Sequence, residues 1–440
     1  MKPSDTFCPL PWVHQAIRNN GDVRVCCQAN VTPNQGILRK DDGNSYNASR
    51  DNLSEAKNVI MIKEIRKNML AGTWSDECAR CKSEEDAGIA SRRLNELDQW
   101  QFSLQDALDC TSDDGSIDLE TKYFDLRFGN ICNLACRMCG PTDSHSWYEE
   151  WTEFNKTDGF EDTHGYVKLV KNDNGRWMSD QYSWHESKKF WEQMEYKIPF
   201  IEHVYMAGGE PLIISQHTYF LERCIELNRA DKIVLEYNTN ITVLPSRVLE
   251  LWKQFKQVRI GASVDGFGEM QEYQRWPIKW THTLKNLQKL DTIARENTNI
   301  LPHIALTVTA YNAFHLPEFI WWKLMDSKFQ KINSMARRPV ITHHMAHKPY
   351  KMSVQMYPES IRNKLIKSYD SWIKKFNDST LPDNVKEASV NILKSVLMFM
   401  QLENHSEVIK EFVDLTVYLD KKRNQDIKTL VPELGELFEE

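Results

Sequence analysis

The chain has 440 residues, 27% of them charged and 41% hydrophobic. That is more than one ordinary core takes, and it is the profile of a globular protein in water, built from two or three domains. A net charge of −7 argues against a general nucleic-acid binder, which is usually basic. No stretch approaches an uninterrupted apolar membrane helix, and the opening residues Met1–Cys8 lack the apolar centre of a secretory signal, so a soluble, cytoplasmic protein is expected.

The first hundred or so residues carry Cys8, Cys26, Cys27, Cys78 and Cys81, with a short strand signal over 22–25 and a helical run over 56–70. Clustered cysteines in a long intracellular chain favour metal or redox chemistry over structural disulfides. The acidic, Ser/Asp-rich segment 106–120 reads as a linker. A different rhythm begins at Lys122. Strand signals at 123–128, 203–207, 232–238, 258–264, 304–309 and within 340–345 alternate with helical patterns at 184–194, 218–227, 246–255, 282–296 and 317–325. Such alternation implies βα units on a parallel sheet. Six units make a partial version of the closed eight-fold (β/α) barrel, which keeps its chemistry at the C-terminal ends of its strands. The polar stretch 153–182, with Asn172-Asp173-Asn174-Gly175 as a turn, reads as an excursion at the first connection. After about Tyr357 the pattern is helical and charged, with amphipathic helices over 358–376, 384–401 and 406–418. The expected division is a cysteine-rich N-terminal domain over 1–115, a partial (β/α)6 TIM-like barrel over 120–348 and a helical C-terminal extension over 349–440.

The central motif is Cys132-Asn133-Leu134-Ala135-Cys136-Arg137-Met138-Cys139. Three thiolates spaced CxxxCxxC can wrap a loop around three irons of a [4Fe–4S] cubane and leave the fourth iron open. An open position is what separates a catalytic metal site from a structural one. S-adenosylmethionine (SAM) could fill it with its amino and carboxylate groups. The alternative is part of a zinc site, for which His145 is the nearest further ligand. The motif follows the first barrel strand, where a barrel keeps its active site.

This segment resembles the cluster loop of the radical SAM superfamily. The resemblance covers about Lys122 to Lys348 and implies a SAM-binding [4Fe–4S] cluster on Cys132, Cys136 and Cys139. It places Met138, where the family commonly has an aromatic residue, near the adenine; a thioether suits a purine face. Gly208-Gly209-Glu210, after the second strand, resembles the family's GGE motif. The glycines would let backbone approach a ligand closely, and Glu210 would accept from the SAM ammonium. By the same resemblance Asn240, at the third strand end, lies near the cofactor. Ser263, in Ser-Val-Asp-Gly, reaches the ribose hydroxyls, while Asp265 turns the chain or caps the next helix. Arg275 pairs with the SAM carboxylate through its forked donors.

The N-terminal pattern is Cys8, then Gly21 with Cys26 five residues on, then Cys78-x-x-Cys81. Gly21 marks a hairpin that returns the chain toward Cys8. Four thiolates from Cys8, Cys26, Cys78 and Cys81 would close a metal site, with Cys27 as the alternative to Cys26. A zinc site with four cysteine ligands is the general expectation. The pattern also resembles the twitch domain, the shorter relative of the SPASM domain, which implies an auxiliary second [4Fe–4S] cluster, although those domains usually follow the barrel and this pattern precedes it. Cys110 and Cys224 read as buried thiols. His343, His344 and His347 read as strand-end histidines, and Arg337 and Arg338 as a solvated loop.

The expected function is reductive cleavage of SAM, the radical then taking a hydrogen atom from a substrate. The partners implied are SAM, a one-electron reductant such as flavodoxin or ferredoxin and, by analogy with twitch- and SPASM-bearing relatives, a peptide or protein substrate. The alternatives are a non-catalytic iron–sulfur electron-transfer protein and a zinc-dependent binding module.

Overall fold

The computed structural model describes residues 2–29, 34–86, 91–162, 164–333 and 340–439; Arg337 and Arg338 lie outside them. Eight strands form one sheet: β1 His14–Ile17, β2 Val23–Arg24, β3 Tyr123–Arg127, β4 His203–Ala207, β5 Val234–Thr239, β6 Gln257–Ser263, β7 Ile300–Val308 and β8 Thr342–Met345. The order is β8-β7-β6-β5-β4-β3-β1-β2. Every neighbouring pair is parallel except β1 and β2, which form an antiparallel hairpin. The six strands read from the sequence are β3 to β8, and the sheet is that of a partial TIM-like barrel.

The strands connect through helices at Lys188–Lys197, Ser215–Glu226, Ser246–Trp252, Trp280–Glu296 and Leu316–Met325. Strand residues alternate. Phe124, Leu126, Val204, Met206, Leu235, Tyr237, Val258 and Ile260 enter the core. On the other face Asp125 stands opposite Tyr205, Tyr205 opposite Glu236, and Glu236 opposite Arg259, so that face is polar. At the N-terminal ends of the strands, Tyr123 stacks on His203 with ring centroids 4.5 Å apart, and His14 meets it at a tilt, 4.4 Å away. Trp100 stacks on Tyr123 at 5.7 Å.

The N-terminal region is built onto this sheet. Gly21, at φ +88°, turns the β1–β2 hairpin, and a Cβ there would lie 2.7 Å from Trp184 Cβ. β1 then pairs with β3, from His14 opposite Tyr123 to Ile17 opposite Leu126. Segment 106–120 is not wholly a linker. Leu104–Cys110 is a helix, because Ser103 and Asp106 cap it reciprocally and Ala107 is buried.

The excursion at 153–182 holds the end of helix Tyr148–Asn155 and two small hairpins, Gly159–Asp162 with Gly165–Lys168 and Val170–Lys171 with Trp177–Met178. The C-terminal helices are Glu359–Asn377, Asp383–Leu402 and Ile409–Arg423. Their apolar faces share a second core with β7 and the helices around it. No described helix is long and apolar enough to cross a membrane.

Candidate active site

The loop after β3 carries Cys132, Cys136 and Cys139. The first two are buried, and Cys139 is half-buried beside Met138, Leu134 and Ile278. The loop is pinned at most of its turns. The Cys132 N–H donates to His145 Nδ1 at 3.1 Å, Ser146 Oγ donates to the Cys132 carbonyl at 2.7 Å, and Ser144 Oγ to that of Leu134 at 2.6 Å. Trp147 Nε1 donates to the Cys136 carbonyl at 2.9 Å. The loop backbone also bonds to the turn after Glu269–Gln274, Ala135 N to Trp276 O and Arg137 N to Gln274 O, both at 2.8 Å. His145 therefore spends one ring nitrogen on the backbone of this loop.

The electrostatics of the three thiols differ. Burial, then the neighbouring Cys136, pushes Cys132 up to about 12. Cys136 is held below the ordinary thiol range by a hydrogen bond from Cys139 and by the Arg275 guanidinium, which outweigh its burial. Donating that bond, together with burial, raises Cys139. All ten cysteines are free thiols.

The ends of the next strands converge on this loop. After β4, Gly208 has φ +112°, and a Cβ on it would lie 2.8 Å from Phe128 N. A Cβ on Gly209 would lie 2.1 Å from the Ile131 carbonyl oxygen. The neighbour that excludes side chains here is thus the backbone of the cluster loop, a reason different from the close ligand approach expected from the sequence. Gly209 N donates to Gly129 O at 3.0 Å and Glu210 N to Ile131 O at 2.8 Å, which locks the two loops together.

Glu210 is buried and accepts three hydrogen bonds: from Leu212 N at 3.0 Å, Thr239 Oγ1 at 2.7 Å and Asn240 N at 2.7 Å. Burial lifts its carboxyl to about 7 against the pull of these donors. Asn240 is also buried. Its amide donates to Asn133 Oδ1 at 3.0 Å and toward the Cys132 sulfur at 3.7 Å, and its Oδ1 accepts from Thr242 Oγ1 at 2.6 Å.

Ser263 ends β6 and is half-buried. Asp265 neither turns the chain nor caps a helix with its side chain. Its Oδ2 accepts from Arg275 Nε at 2.7 Å and its Oδ1 from Thr307 N at 2.8 Å, so it ties the next helix to β7. Arg275 directs Nη1 at the Cys136 sulfur, 3.8 Å away. Gly208, Gly209, Glu210, Asn240 and Arg275 thus surround or directly face the cysteine loop. Thr242 and Ile278 are further members of this neighbourhood that no motif in the sequence marks, and Asn133 is a variable position inside the cysteine motif that its spacing does not single out. The Asp265–Arg275 pair had a signal, an acid and a base ten residues apart flanking one short helix.

The N-terminal thiols also come together. Cys8 and Cys81 are buried, and Cys26 and Cys78 half-buried. Burial raises Cys8, and the nearby Cys26 and Cys78 raise it further. Cys26 is raised by burial and then by Cys27, Cys78 and Cys81. Burial, then Cys81, lifts Cys78 to about 12. Three separated stretches therefore bring their thiols within electrostatic reach of one another.

Among the described residues no three His, Cys, Asp or Glu side chains converge tightly on one point, as ligands of a single ion would. A cubane asks each thiolate to meet a different iron, and free thiols at Cys132, Cys136 and Cys139 are the donor type it takes. Cys224 is buried, and Cys110 is half-buried with its Sγ 3.7 Å from Ala107 O. His343 bonds Ser395 Oγ at 3.0 Å, and His347 bonds Met345 O at 3.4 Å.

Residues 126–305 match the radical SAM superfamily. No curated protein matches the chain in sequence. Among solved structures the chain is similar to native anSMEcpe with bound AdoMet, at 17% identity and a TM-score of 0.35 over 58% of this chain and 61% of that one. It is also similar to Streptococcus suis SuiB bound to precursor peptide SuiA, at 11% identity and a TM-score of 0.34 over 82% of this chain and 71% of that one. The chain thus spans about three fifths of the length of anSMEcpe.

Proposed function

On the premise that residues 126–305 match the radical SAM superfamily, we propose that the chain cleaves SAM reductively at Cys132, Cys136 and Cys139 to start a radical modification of a peptide or protein. The observation that carries this reading is that Asn240, at a strand end and bonded to Glu210, faces Cys132, while Arg275, at the end of helix Glu269–Gln274, faces Cys136. These thiolates would hold a [4Fe–4S] cluster, and the chemistry it would supply is the one-electron reductive cleavage of SAM that starts hydrogen-atom abstraction from a substrate.

The surrounding residues bind and orient SAM. Glu210 keeps an acceptor position on Oε2 for the ammonium group. Arg275 spends Nε on Asp265, and its remaining donors balance the thiolate at Cys136 and meet the SAM carboxylate. Ser263 reaches the ribose hydroxyls, and Met138, beside Ile278, lies against the adenine. Gly208 and Gly209 hold the ammonium-binding turn against the cluster loop.

Cys8, Cys26, Cys78 and Cys81 hold a second, auxiliary [4Fe–4S] cluster, in a twitch/SPASM-like region over 1–115 that is joined to the barrel (120–348) through β1; residues 349–440 form the helical extension. Four thiolates would leave such a cluster no open iron, so its role would be electron transfer from a flavodoxin or ferredoxin, or structure. The peptide or protein substrate rests on the resemblance of the N-terminal cysteine pattern to domains of peptide-modifying enzymes.

Anaerobic incubation of the reconstituted protein with dithionite and SAM, followed by chromatographic detection of 5′-deoxyadenosine, tests the reading. Accumulation above a dithionite-free control is expected. Its absence from protein that holds iron removes SAM cleavage and favours a non-catalytic electron carrier.

A further inference from the structure

The helix Ile409–Arg423 lies outside the stretch that matches the superfamily, yet one buried ion pair joins it to the cysteine loop and a second joins it to helix Tyr148–Asn155, just after that loop. Arg137 stands inside the motif, between Cys136 and Cys139, and its side chain is fully buried. Nη2 donates to Asp420 Oδ1 at 2.5 Å and to Gln425 Oε1 at 2.9 Å, and Nε donates to the Tyr273 carbonyl at 3.0 Å. The guanidinium lies 3.6 Å from the Tyr273 ring centroid. The second pair is Arg423 with Glu150, at 3.0 and 2.5 Å. Arg423 also lies over Trp147, whose indole N–H holds the Cys136 carbonyl. Both ties therefore converge on Cys136, one through the next residue in the chain and one through its carbonyl.

The far end of each tie is itself fixed. Asp420 Oδ2 accepts from Ile427 N at 2.9 Å, and Asn424, at φ +52°, closes the turn by donating its N–H to the Asp420 carbonyl. Gln425 Nε2 donates to Glu272 O at 3.2 Å, on the helix that precedes Arg275.

An arginine inside a cluster loop could simply fill space. A guanidinium that spends directed donors on two residues of another element instead sets the orientation of its own backbone. We propose that Asp420 and Gln425 are positioning residues that act through Arg137 to fix the geometry of the Cys136–Cys139 turn, so that the C-terminal extension is part of the apparatus that presents the cluster thiols. This rests on the radical SAM reading for its purpose, but the geometric claim can be tested without a cluster.

The variants are Asp420→Ala, Gln425→Ala and Asp420→Asn, the last keeping an acceptor toward Arg137. In apoprotein, alkylation of each cysteine by iodoacetamide is followed by mass spectrometry. Asp420→Ala and Gln425→Ala should speed modification of Cys136 and Cys139 at least fivefold and leave Cys8, Cys26, Cys78 and Cys81 at wild-type rates; Asp420→Asn should fall between wild type and Asp420→Ala. Reconstituted Asp420→Ala should also give a broadened electron paramagnetic resonance spectrum whose change on adding SAM is smaller than in wild type.

A uniform increase at all cysteines means general loosening and overturns the proposal, as do unchanged rates in both alanine variants. If Asp420→Ala does not fold, Gln425→Ala decides alone. Wild-type protein that binds no iron at Cys132, Cys136 and Cys139 would refute the radical SAM reading and leave the alkylation result standing.

Discussion

The side-chain amide of Asn240 points at the sulfur of Cys132 across 3.7 Å. The same residue donates its backbone N–H to Glu210, so one strand end touches both the metal-binding loop and the residue proposed to hold the SAM ammonium. Hydrogen bonds to cluster sulfurs favour the reduced, more negative state. Asn240→Leu should therefore make the barrel cluster harder to reduce. A redox titration followed by electron paramagnetic resonance should show a more negative midpoint, and an unchanged one means that the amide serves Asn133 and Thr242 only.

The cluster assignment itself is tested by changing Cys132, Cys136 and Cys139 together to Ala. The triple variant should form no 5′-deoxyadenosine and should lose about four irons per chain, the content of one cubane. Wild-type amounts of 5′-deoxyadenosine from this variant would move the SAM site elsewhere.

The buried pair of Asp265 and Arg275 makes a stability prediction. Their side chains are 0% and 10% exposed, and removing one partner of such a pair leaves an uncompensated buried charge. Asp265→Ala should cost about 3–5 kcal/mol, read as a lower urea midpoint, and it also frees Thr307 N. Arg275→Lys, which keeps the charge but not the fork, should cost less. Equal midpoints for wild type and Asp265→Ala would mean that water replaces the pair.

How much of this was legible follows from which physical signal each part carries. Strands β3 to β8 show in the sequence because buried β-rich runs alternate with longer amphipathic helices. The cysteine spacing and Gly-Gly-Glu show because few residue types can do their work. β1 does not show: His14-Gln15-Ala16-Ile17 is short and mixed, and all four residues are buried, so no alternation betrays it. The helix Leu104–Cys110 hides in an acidic segment because its cap, Ser103 with Asp106, uses the residues that also make a linker. Arg137 looks like an ordinary loop residue, since its partners Asp420 and Gln425 are almost 300 positions away in the chain. The glycines were legible, but what they make room for, the Ile131 backbone, is a tertiary contact that no local pattern encodes.

The N-terminal thiols call for a test of both identity and role. The triple variant lacking the barrel cysteines should stay brown and hold about four irons. Its reduced electron paramagnetic resonance signal should not respond to SAM, because four thiolates leave no open iron. In that background Cys26→Ala should lose the iron and Cys27→Ala should keep it; the reverse would make Cys27 the ligand. Zinc in place of iron after anaerobic reconstitution would favour a structural zinc site on the four thiolates.

Glu210 links stability, pH and SAM binding. Burial lifts its carboxyl from 4.5 to about 7. An acid raised in the folded state binds its proton more tightly there than in the unfolded chain. Between pH 4.5 and 7 the folded state therefore holds more proton, and stability from this group falls as pH rises. Its contribution is fully present below pH 4.5 and is lost by about pH 7, a swing of about 3 kcal/mol. Glu210→Gln has no such proton. Whatever its fixed penalty for turning an amide toward Asn240 N, its melting temperature relative to wild type should move in the variant's favour from pH 5 to pH 7.5. A difference that stays constant with pH would mean that the carboxyl titrates in its ordinary range. The same substitution removes a charged acceptor proposed for the SAM ammonium, worth about 1.5–3 kcal/mol. Isothermal titration of the reconstituted variant should therefore show SAM binding at least tenfold weaker with iron content unchanged. Wild-type affinity would confine Glu210 to tying Leu212, Thr239 and Asn240 together.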